Sequence, residues 1–308
     1  MSTAPLVSII IPTFNRPQWV RRAVQSALNQ TFDAIEVVVV DDGSTPAPEL
    51  APHPKLRVIT LPANSGVSCA RNAGAEAARG RWISFLDDDD VLLPRMVELS
   101  LEALADTGTL PSPVAVLSGL EIVDPEGQLI ETHIPPTLPR GSHYSLEELK
   151  PGESIYCKQT LVVERDVFLS IGGCDTTFRS RVPSELFLRL NLACSLKGIP
   201  QITYRLTQHT GPRITRDRAQ RQIGFYKLVN KHRALFETYP ARFSWYFRDH
   251  AYRSWKARQY GPAIVAALRA FRYDPAGCIR SLLSPAPPEP SPPVRARHSG
   301  PADQGSPP

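Results

Sequence analysis

The chain has 308 residues, 42% of them hydrophobic, which is typical of a folded, enzyme-sized protein with a sizeable core. No apolar stretch approaches the roughly 18 to 20 residues that a membrane span needs, and the first apolar run lacks the features of a signal peptide, so we expect a cytoplasmic protein. The formal net charge of +5 conceals an asymmetry, because residues 205–280 carry +12 and the remainder carries −7.

The basic part of the chain suits an anionic partner, such as a nucleotide or the acidic inner face of a membrane. We expect no nucleic acid as a partner, because the sequence contains no zinc-finger pattern or other recognition motif. The five cysteines are scattered and have no paired metal-ligand spacing, so they are interpreted as free, buried thiols.

From residue 6 to residue 123, short β-branched runs alternate with segments of helical periodicity, which is typical of an α/β sheet with helical crossovers. Continuous apolar runs predict strands covered on both faces: Val7–Ile11, Ile35–Val40, Leu56–Leu61 and Trp82–Leu86. Between them we predict a helix from Pro17 to about Gln30 and another from Val67 to Ala78.

Turn residues and prolines dominate residues 106–152, where a hairpin is predicted around Asp124–Gln128. Helices are predicted at Asp166–Ile171, at Pro183–Ser195 and through most of Arg218–Ala270. The segment 285–308 is rich in proline, serine and glycine, a composition that predicts disorder.

Acidic residues collect where two of the predicted strands end. "VVVVDDGST" places Asp41 and Asp42 after the second strand, and "ISFLDDDD" places Asp87–Asp90 after the fourth. A single aspartate there is usually a turn former or a helix cap, but two clusters at equivalent ends of neighbouring strands favour a binding site. Adjacent carboxylates repel each other unless a cation neutralises them, and oxygen ligands suit Mg²⁺ or Mn²⁺. We therefore predict a divalent metal whose shell is completed by substrate phosphate.

Four segments carry a resemblance to a known family: "VSIIIPTFNRPQWVRRAVQSALNQTF", "IEVVVVDDGST", "NSGVSCARNAGAEAARGRWISFLDDDD" and "GGCDTTF". Together they resemble the inverting family 2 glycosyltransferases of the GT-A fold, densely over residues 6–94 and more loosely to about residue 236. The resemblance implies a nucleotide-diphosphate-sugar transferase domain with a Rossmann-like mixed sheet at 1–215. A helical extension at 216–284 and a disordered, proline-rich tail at 285–308 would follow.

The resemblance also implies the ligands and their residues. The donor would be a nucleotide-diphosphate sugar, most often a UDP-sugar, bound with Mg²⁺ or Mn²⁺. Its contacts would come from Pro12, Thr13, Phe14, Asn15, Asp42, Arg71 and Asp88, and the metal ligands would be Asp89, Asp87 and His209, with Asp90 as a close neighbour.

Several of these residues have structural alternatives. Asn15 precedes a helix and either favours an anion there or caps the helix. Phe14 offers a ring for base stacking, although an aromatic residue after a strand is more often packing. For Arg71, the alternative is a surface salt bridge. His209 lies in a polar stretch, where a late histidine could bind the metal.

Inversion also needs a base that accepts the proton of the acceptor hydroxyl. In the family, this base usually belongs to an acidic pair just ahead of a segment similar to "LFLRL", but here the pair falls on Val182 and Pro183. The catalytic candidates are therefore Glu185, two residues on, and Asp175 in "GGCD". The alternative for Glu185 is stability, because an acid in the first helical turn interacts favourably with the helix dipole.

The sequence thus predicts a metal-dependent inverting glycosyltransferase that acts on a glycan or a lipid-linked acceptor. The alternative is a nucleotide-sugar-binding scaffold that has lost catalysis, favoured by the missing acidic pair. A nucleotidyltransferase is disfavoured, because no glycine-rich phosphate loop follows the first strand. The aromatic and basic helices near the C-terminus either pack on the domain or lie against anionic lipid.

Overall fold

A computed structural model describes residues 4–208 and 217–283 of the chain. In the first half, the predicted strands and helices are present as β1 Val7–Thr13, α1 Pro17–Leu28, β2 Ile35–Asp41, β3 Leu56–Thr60, α2 Val67–Ala77 and β4 Trp82–Phe85. They are followed by two elements that were not predicted, β5 Val91–Leu92 and α3 Met96–Ala105. The middle contains β6 Val114–Val123, β7 Leu129–His133, a short 3-10 helix Cys157–Thr160, β8 Val162–Glu164, α4 Arg165–Ser170, α5 Val182–Ala193 and β9 Ser195–Thr207. The remaining helices are α6 Arg218–Lys231, α7 Arg233–Glu237, α8 Pro240–Lys256, α9 Tyr260–Tyr273 and α10 Pro275–Leu283.

The described strands form one mixed sheet in the order β3-β2-β1-β4-β8-β6-β9-β5. Strand β7 is outside this order and pairs with β6. The first four strands of this order are parallel, and β8 joins them in the antiparallel direction. The predicted hairpin is present between β6 and β7, where the Asp124 N–H donates a 3.0 Å hydrogen bond to the Gln128 carbonyl oxygen.

The central strands are continuous apolar runs because both of their faces are covered. Alternate residues of β1 enter different clusters: Ile10 joins one that includes α2, α4 and α5, whereas Ile9 and Ile11 join one that includes α1 and α3. All seven residues of β1 and all seven of β2 are buried. The ends of these strands are therefore held rigidly, which suits a site built on them.

The C-terminal helices share the first of these clusters. Phe225 of α6, Phe236 of α7 and Phe243 of α8 are buried together with residues of the sheet face. Their inner faces pack on the catalytic half, as one of the two sequence-based alternatives expects. The division of the chain at residues 215 and 216 stays a prediction, and the predicted tail at 285–308 lies outside the described residues. Among the helices that the structure describes, none has the length and apolarity needed to cross a bilayer.

The predicted strand at Leu56–Leu61 is present as β3, but it is not covered on both faces: β3 is an edge strand, none of its five residues is buried, and Val58 is 45% exposed. Three further details differ from the predictions. First, β1 lies between β2 and β4, so the strands that carry the two acidic clusters flank a common neighbour and are not adjacent. Second, α5 ends at Ala193, because Ser195 already belongs to β9. Third, β9 was missed, since Gly198 and Pro200 within it are typical of a loop. Gly198 is needed there because a Cβ would lie 2.5 Å from the Pro135 carbonyl oxygen.

Candidate active site

The predicted site forms at the carboxyl edge of the parallel strands. Thr13 ends β1 in register with Asp41 of β2, and the acidic loop 87–90 follows β4 on the other side of β1. Thr13 Oγ1 donates a 2.8 Å hydrogen bond to Asp88 Oδ2 and thereby ties β1 to this loop. The structure therefore brings the end of β1 and the second acidic cluster together, as the sequence analysis expects.

Asp88 and Asp89 converge on a single cation. Arg16, just before α1, places Nη1 3.1 Å from Asp88 Oδ1 and 3.2 Å from Asp89 Oδ2. Burial raises the pKa of Asp88 to about 6, although Arg16 and Thr13 oppose the shift. The repulsion between these adjacent carboxylates is thus relieved by a guanidinium group, and their oxygens point to a common position for positive charge.

Asp87 forms a different ion pair. Its Oδ1 accepts a 2.5 Å hydrogen bond from Arg71 Nη2, on α2. The salt bridge offered as the alternative for Arg71 is therefore present, with the arginine side chain 10% exposed and the Asp87 side chain 35% exposed, and the contact of Arg71 with a nucleotide stays a prediction. Such a pair is expensive to break, because removing one partner leaves an uncompensated charge.

Asp90 completes the loop as a structural residue. Its carboxylate accepts hydrogen bonds from the Tyr204 hydroxyl at 2.8 Å and from the Thr207 backbone N–H at 3.2 Å, both on β9. Burial, together with the negative charges of Asp87 and Asp89, raises the pKa of Asp90 well above its usual range. Tyr204 also accepts a 3.3 Å hydrogen bond from the Asp87 backbone N–H, so β9 anchors both ends of the acidic loop.

On the other side of β1, Asp42 shapes the approach to α2. Its two carboxylate oxygens accept hydrogen bonds from the backbone N–H groups of Ser65 at 2.8 Å and Gly66 at 2.7 Å. The carboxylate is buried, and both of its oxygens accept hydrogen bonds from this turn. Its contact with a nucleotide base stays a prediction.

The residues after β1 differ in how much surface they offer. Phe14 is exposed, which leaves its ring free to meet a planar ligand. Asn15 does not cap α1: its backbone has φ +52°, its side-chain oxygen accepts a hydrogen bond from the Thr45 N–H at 2.9 Å, and Arg16 is the N-cap residue. Pro12 is buried within β1, so it supports the floor of this region and offers little surface of its own.

A small cleft connects the acidic loop with α5. It is lined by Arg71, Phe85, Asp87, Lys158, Gln159, Leu161, Cys174, Pro183, Leu186, Phe187 and Tyr204. Lys158 donates a 2.7 Å hydrogen bond to the Ile155 carbonyl oxygen, and burial lowers its pKa to about 7. The neighbouring Gln159 has a buried Oε1 without a hydrogen-bond partner. Lys158 and Gln159 could not be predicted from the sequence, because no pattern marks the 3-10 helix on which they lie.

Glu185 occupies a position that does not suit a general base. Its side chain is 1% exposed, and its oxygens accept hydrogen bonds from Arg189 Nε at 2.8 Å, Arg189 Nη2 at 2.6 Å and Lys231 Nζ at 2.7 Å. Burial opposes ionisation, but the hydrogen bonds from His232, Arg189 and Lys231 outweigh it and hold the pKa of Glu185 well below its usual range. An acceptor hydroxyl cannot reach this carboxylate, so the geometry argues for the structural alternative.

Asp175 is the more accessible candidate. It follows Cys174, which lines the cleft, and its side chain is 19% exposed. Burial opposes ionisation here too, but hydrogen bonds from Lys231 at 2.6 Å and from Thr177 lower the pKa of Asp175 to about 2. The carboxylate is therefore ionised at neutral pH, as a base must be, although it shares Lys231 with Glu185.

The acidic loop fits a divalent cation in part. Asp88 and Asp89 supply hard oxygen donors at the position that Arg16 now approaches, and Mg²⁺ is commonly held by one or two carboxylates plus substrate phosphates. The residues at 4–208 and 217–283 contain no group of three or more His, Cys, Asp or Glu side chains arranged to hold a metal by themselves. Asp87 is engaged by Arg71, and the predicted ligand His209 lies outside the described residues.

Comparison with known proteins shows the family to which the chain belongs. The family described as "Glycosyl transferase family 2" matches residues 8–151. The chain is 31% identical to a chondroitin synthase of Escherichia coli over 215 residues, which is 68% of this chain and 30% of that protein. It is 29% identical to a hyaluronan synthase of Pasteurella multocida over 215 residues, 68% of this chain and 21% of that protein. The chain thus spans less than a third of the length of these relatives.

The fold also matches a solved structure. The S. aureus TarS 1-349 structure in complex with UDP-GlcNAc has a TM-score of 0.55 to this chain at 14% identity, and the match covers 86% of this chain and 91% of that one. At this identity the likeness shows the fold alone, and it confirms the predicted GT-A α/β architecture with helices after the sheet. With the matching family and the curated relatives, it identifies the chain as a member of glycosyltransferase family 2.

Proposed function

We propose that this chain is a metal-dependent, inverting glycosyltransferase that moves a sugar from a UDP-sugar to an acceptor hydroxyl of a growing glycan or a lipid-linked acceptor. The observation that carries the proposal is the convergence of Asp88 and Asp89 on one cationic position beside the end of β1. Two neighbours support the choice of donor, since the TarS structures were solved with UDP and with UDP-GlcNAc. The names of the chondroitin and hyaluronan synthases support a polysaccharide as the product.

In the proposed mechanism, the exposed Phe14 stacks on the base, and Thr13 and Asp88 face the ribose. Asp88 and Asp89 would hold Mg²⁺ or Mn²⁺. The bound cation would neutralise the negative charge that develops on the diphosphate as it leaves the sugar. Arg16 lies between the same two carboxylates, so this side chain could also stabilise the charge on the diphosphate. Binding of donor and metal would therefore displace Arg16 towards the phosphates.

The transferred sugar is proposed to lie outside the small cleft beside Asp87, because the interior of that cleft is only about 20 Å³ and has room for little more than a water molecule. Asp175, next to the cleft, is proposed as the base. It would accept the proton of the acceptor hydroxyl as the new glycosidic bond forms on the face opposite the departing diphosphate.

A cytoplasmic place of action is part of the proposal. All five cysteines are free in the structure, and none is paired in a disulfide. Unpaired thiols are the usual state of cysteines in reducing compartments.

The proposal is tested by calorimetric titration of UDP and UDP-sugars with and without Mn²⁺. Wild type should show metal-dependent binding, and Asp89→Asn should weaken it at least tenfold, because one of two metal-facing carboxylates is lost. Asp33→Asn is the matched control, since the Asp33 side chain is fully exposed and far along the chain from the acidic loop. Equal affinity of wild type with and without Mn²⁺ would exclude the metal.

One observation favours a second function, a nucleotide-sugar-binding scaffold without catalysis. The positions of the usual acidic pair hold Val182 and Pro183, and Glu185 is buried in an ion-pair network. Transfer assays with donors that bind, analysed for the anomeric configuration of the product, separate the two functions. An inverted product supports the enzyme, whereas binding without transfer to any acceptor supports the scaffold.

A further inference from the structure

Helix α9 buries its small apolar residues and exposes its large ones, the reverse of what packing on the domain would favour. The residues that it buries are small: Ala263, Ala266 and Ala270. The large ones point to solvent, and their relative exposures are Ile264 55%, Val265 46%, Leu268 67% and Phe271 49%. A helix that only packed on the domain would bury its large apolar residues, because each contributes roughly 1.5 to 3 kcal/mol when removed from water.

The exposed apolar residues continue onto the neighbouring helices. Tyr252 and Trp255 at the end of α8, Tyr260 at the start of α9 and Ile279 on α10 are all exposed. The rings of Trp255 and Tyr260 contact each other, with centroids 4.8 Å apart. Together with the four outward residues of α9, they form a surface that we call the α9 face. Clusters of exposed apolar groups of this kind mark interaction sites more often than scattered single residues do.

The charges around the α9 face have one sign. Exposed basic residues lie on the same helices and in the turn between α8 and α9: Arg253, Lys256, Arg258, Arg269, Arg272 and Arg280. Residues 240–283 contain two acids, Asp249 and Asp274, and both are half-buried and engaged. Asp249 accepts 2.8 Å hydrogen bonds from Arg253 Nε, and Asp274 accepts one from the Gly277 N–H at 2.8 Å. The exposed charges of this segment are therefore all positive, which is complementary to an anionic partner.

From these features we infer that the α9 face docks on an anionic lipid bilayer, with α9 lying in the plane of the membrane surface. A polar headgroup layer above an acyl region matches exposed apolar residues with basic residues on the same helices. The tryptophan and tyrosines suit the same boundary, where their rings are amphipathic. The helices of the described part of the chain are too short or too polar to cross the bilayer, so the contact is peripheral. This inference does not depend on the proposed glycosyltransferase activity.

The test measures co-sedimentation of the full chain with lipid vesicles. Vesicles of phosphatidylcholine alone are compared with vesicles that contain about one third phosphatidylglycerol, across a salt series. We expect binding at least tenfold tighter to the anionic vesicles, and this difference should shrink as salt screens the basic residues. In Arg272→Gln/Arg280→Gln, affinity for the anionic vesicles should fall about fivefold for each charge removed.

Apolar insertion is tested by Ile264→Glu/Leu268→Glu, which should abolish vesicle binding at every salt concentration. The matched control is Leu129→Glu, because Leu129 is similarly exposed, at 49%, but lies on β7. Both changes are at solvent-exposed positions, so the melting temperature should stay within a few degrees of wild type. If the glutamate pair fails to fold, Ile264→Gln/Leu268→Gln replaces it without adding charge.

Two results would overturn the inference. Vesicle binding that is unchanged in both α9 variants would place the lipid contact elsewhere, or show it to be nonspecific. Sedimentation velocity provides the second result: a dimer of wild type that becomes monomeric in the α9 variants, without vesicle binding by either, would show that a second copy of the chain covers the α9 face. Activity has no part in these readouts, so they stand whether or not sugar transfer is found.

Discussion

Replacement of Glu185 by glutamine should destabilise the protein far more than it affects chemistry. Glu185→Gln keeps the shape of the side chain but removes the charge that faces Arg189 Nε at 2.8 Å, Arg189 Nη2 at 2.6 Å and Lys231 Nζ at 2.7 Å. Breaking a buried ion pair on one side costs about 3 to 5 kcal/mol. Here the Arg189 side chain, 21% exposed, loses its carboxylate partner Glu185, whereas Lys231 keeps its 2.6 Å contact with Asp175. The first-turn dipole interaction, considered from the sequence alone, contributes only about 0.3 to 1 kcal/mol.

The assay is urea unfolding followed by circular dichroism, with thermal melting as a second readout. We expect the free energy of unfolding to fall by about 3 to 5 kcal/mol and the melting temperature by roughly 10 °C. Asp175→Asn is the matched control: it removes a carboxylate from the same lysine, but at a position that is 19% exposed where Glu185 is 1% exposed, so it should lose only about 1 kcal/mol. If Asp175 is the base, its variant should lose transfer by about 10² to 10⁴. A Glu185→Gln variant of near-native stability that had lost transfer to that extent would refute this reasoning and return the base to Glu185.

Two further predictions concern the core. His250 is fully buried, and burial together with the positive charges of Arg181, Arg221 and Arg253 lowers its pKa to about 3. Between about pH 6.5 and pH 3, the imidazole is therefore protonated in the unfolded chain but not in the folded chain. The free energy of unfolding should therefore decrease as the pH is lowered through that window. From pH 7 to pH 5, the wild type should lose about 2 kcal/mol more than His250→Gln in paired urea titrations. Equal losses in the two proteins would contradict the lowered pKa of His250. Gly74→Ala should cost about 1 to 3 kcal/mol, because the new Cβ would collide with Ile10 Cγ2, whereas Gly261→Ala, with nothing within 4 Å, should be neutral or stabilising by up to about 1 kcal/mol in the same thermal melts.

The N-terminal half of the fold was predictable because its signals are local. The apolar runs of β1 and β2 are buried on both faces, and Pro17 opens α1 where the pattern requires. By contrast, β9 was missed because its strand conformation depends on pairing with β6 and β5, which overrides Gly198 and Pro200. Tertiary pairing of this kind leaves no periodic signal in a single sequence.

The candidate site was predictable in position but not in detail. The motif "FLDDDD" located the acidic loop, but four identical residues could not show that Asp90 is held by β9, or that Asp87 pairs with Arg71. Glu185 was a reasonable base from its spacing to "LFLRL". Its burial depends on Lys231 and His232 of the helices beyond β9, which are distant in sequence. These contacts determine the chemistry of Glu185, and a single sequence does not show which distant residues come into contact.

The bond between Tyr204 and Asp90 also bears on how the protein is made. The acidic loop leaves the ribosome early, but its anchor on β9 is synthesised more than a hundred residues later. At roughly 5 to 20 residues per second, the nascent chain spends on the order of ten seconds with Asp90 already made and its partners on β9 still absent. Thr13 and Arg16 can hold Asp88 and Asp89 during that time, but the loop can reach its final conformation only once β9 has paired between β6 and β5.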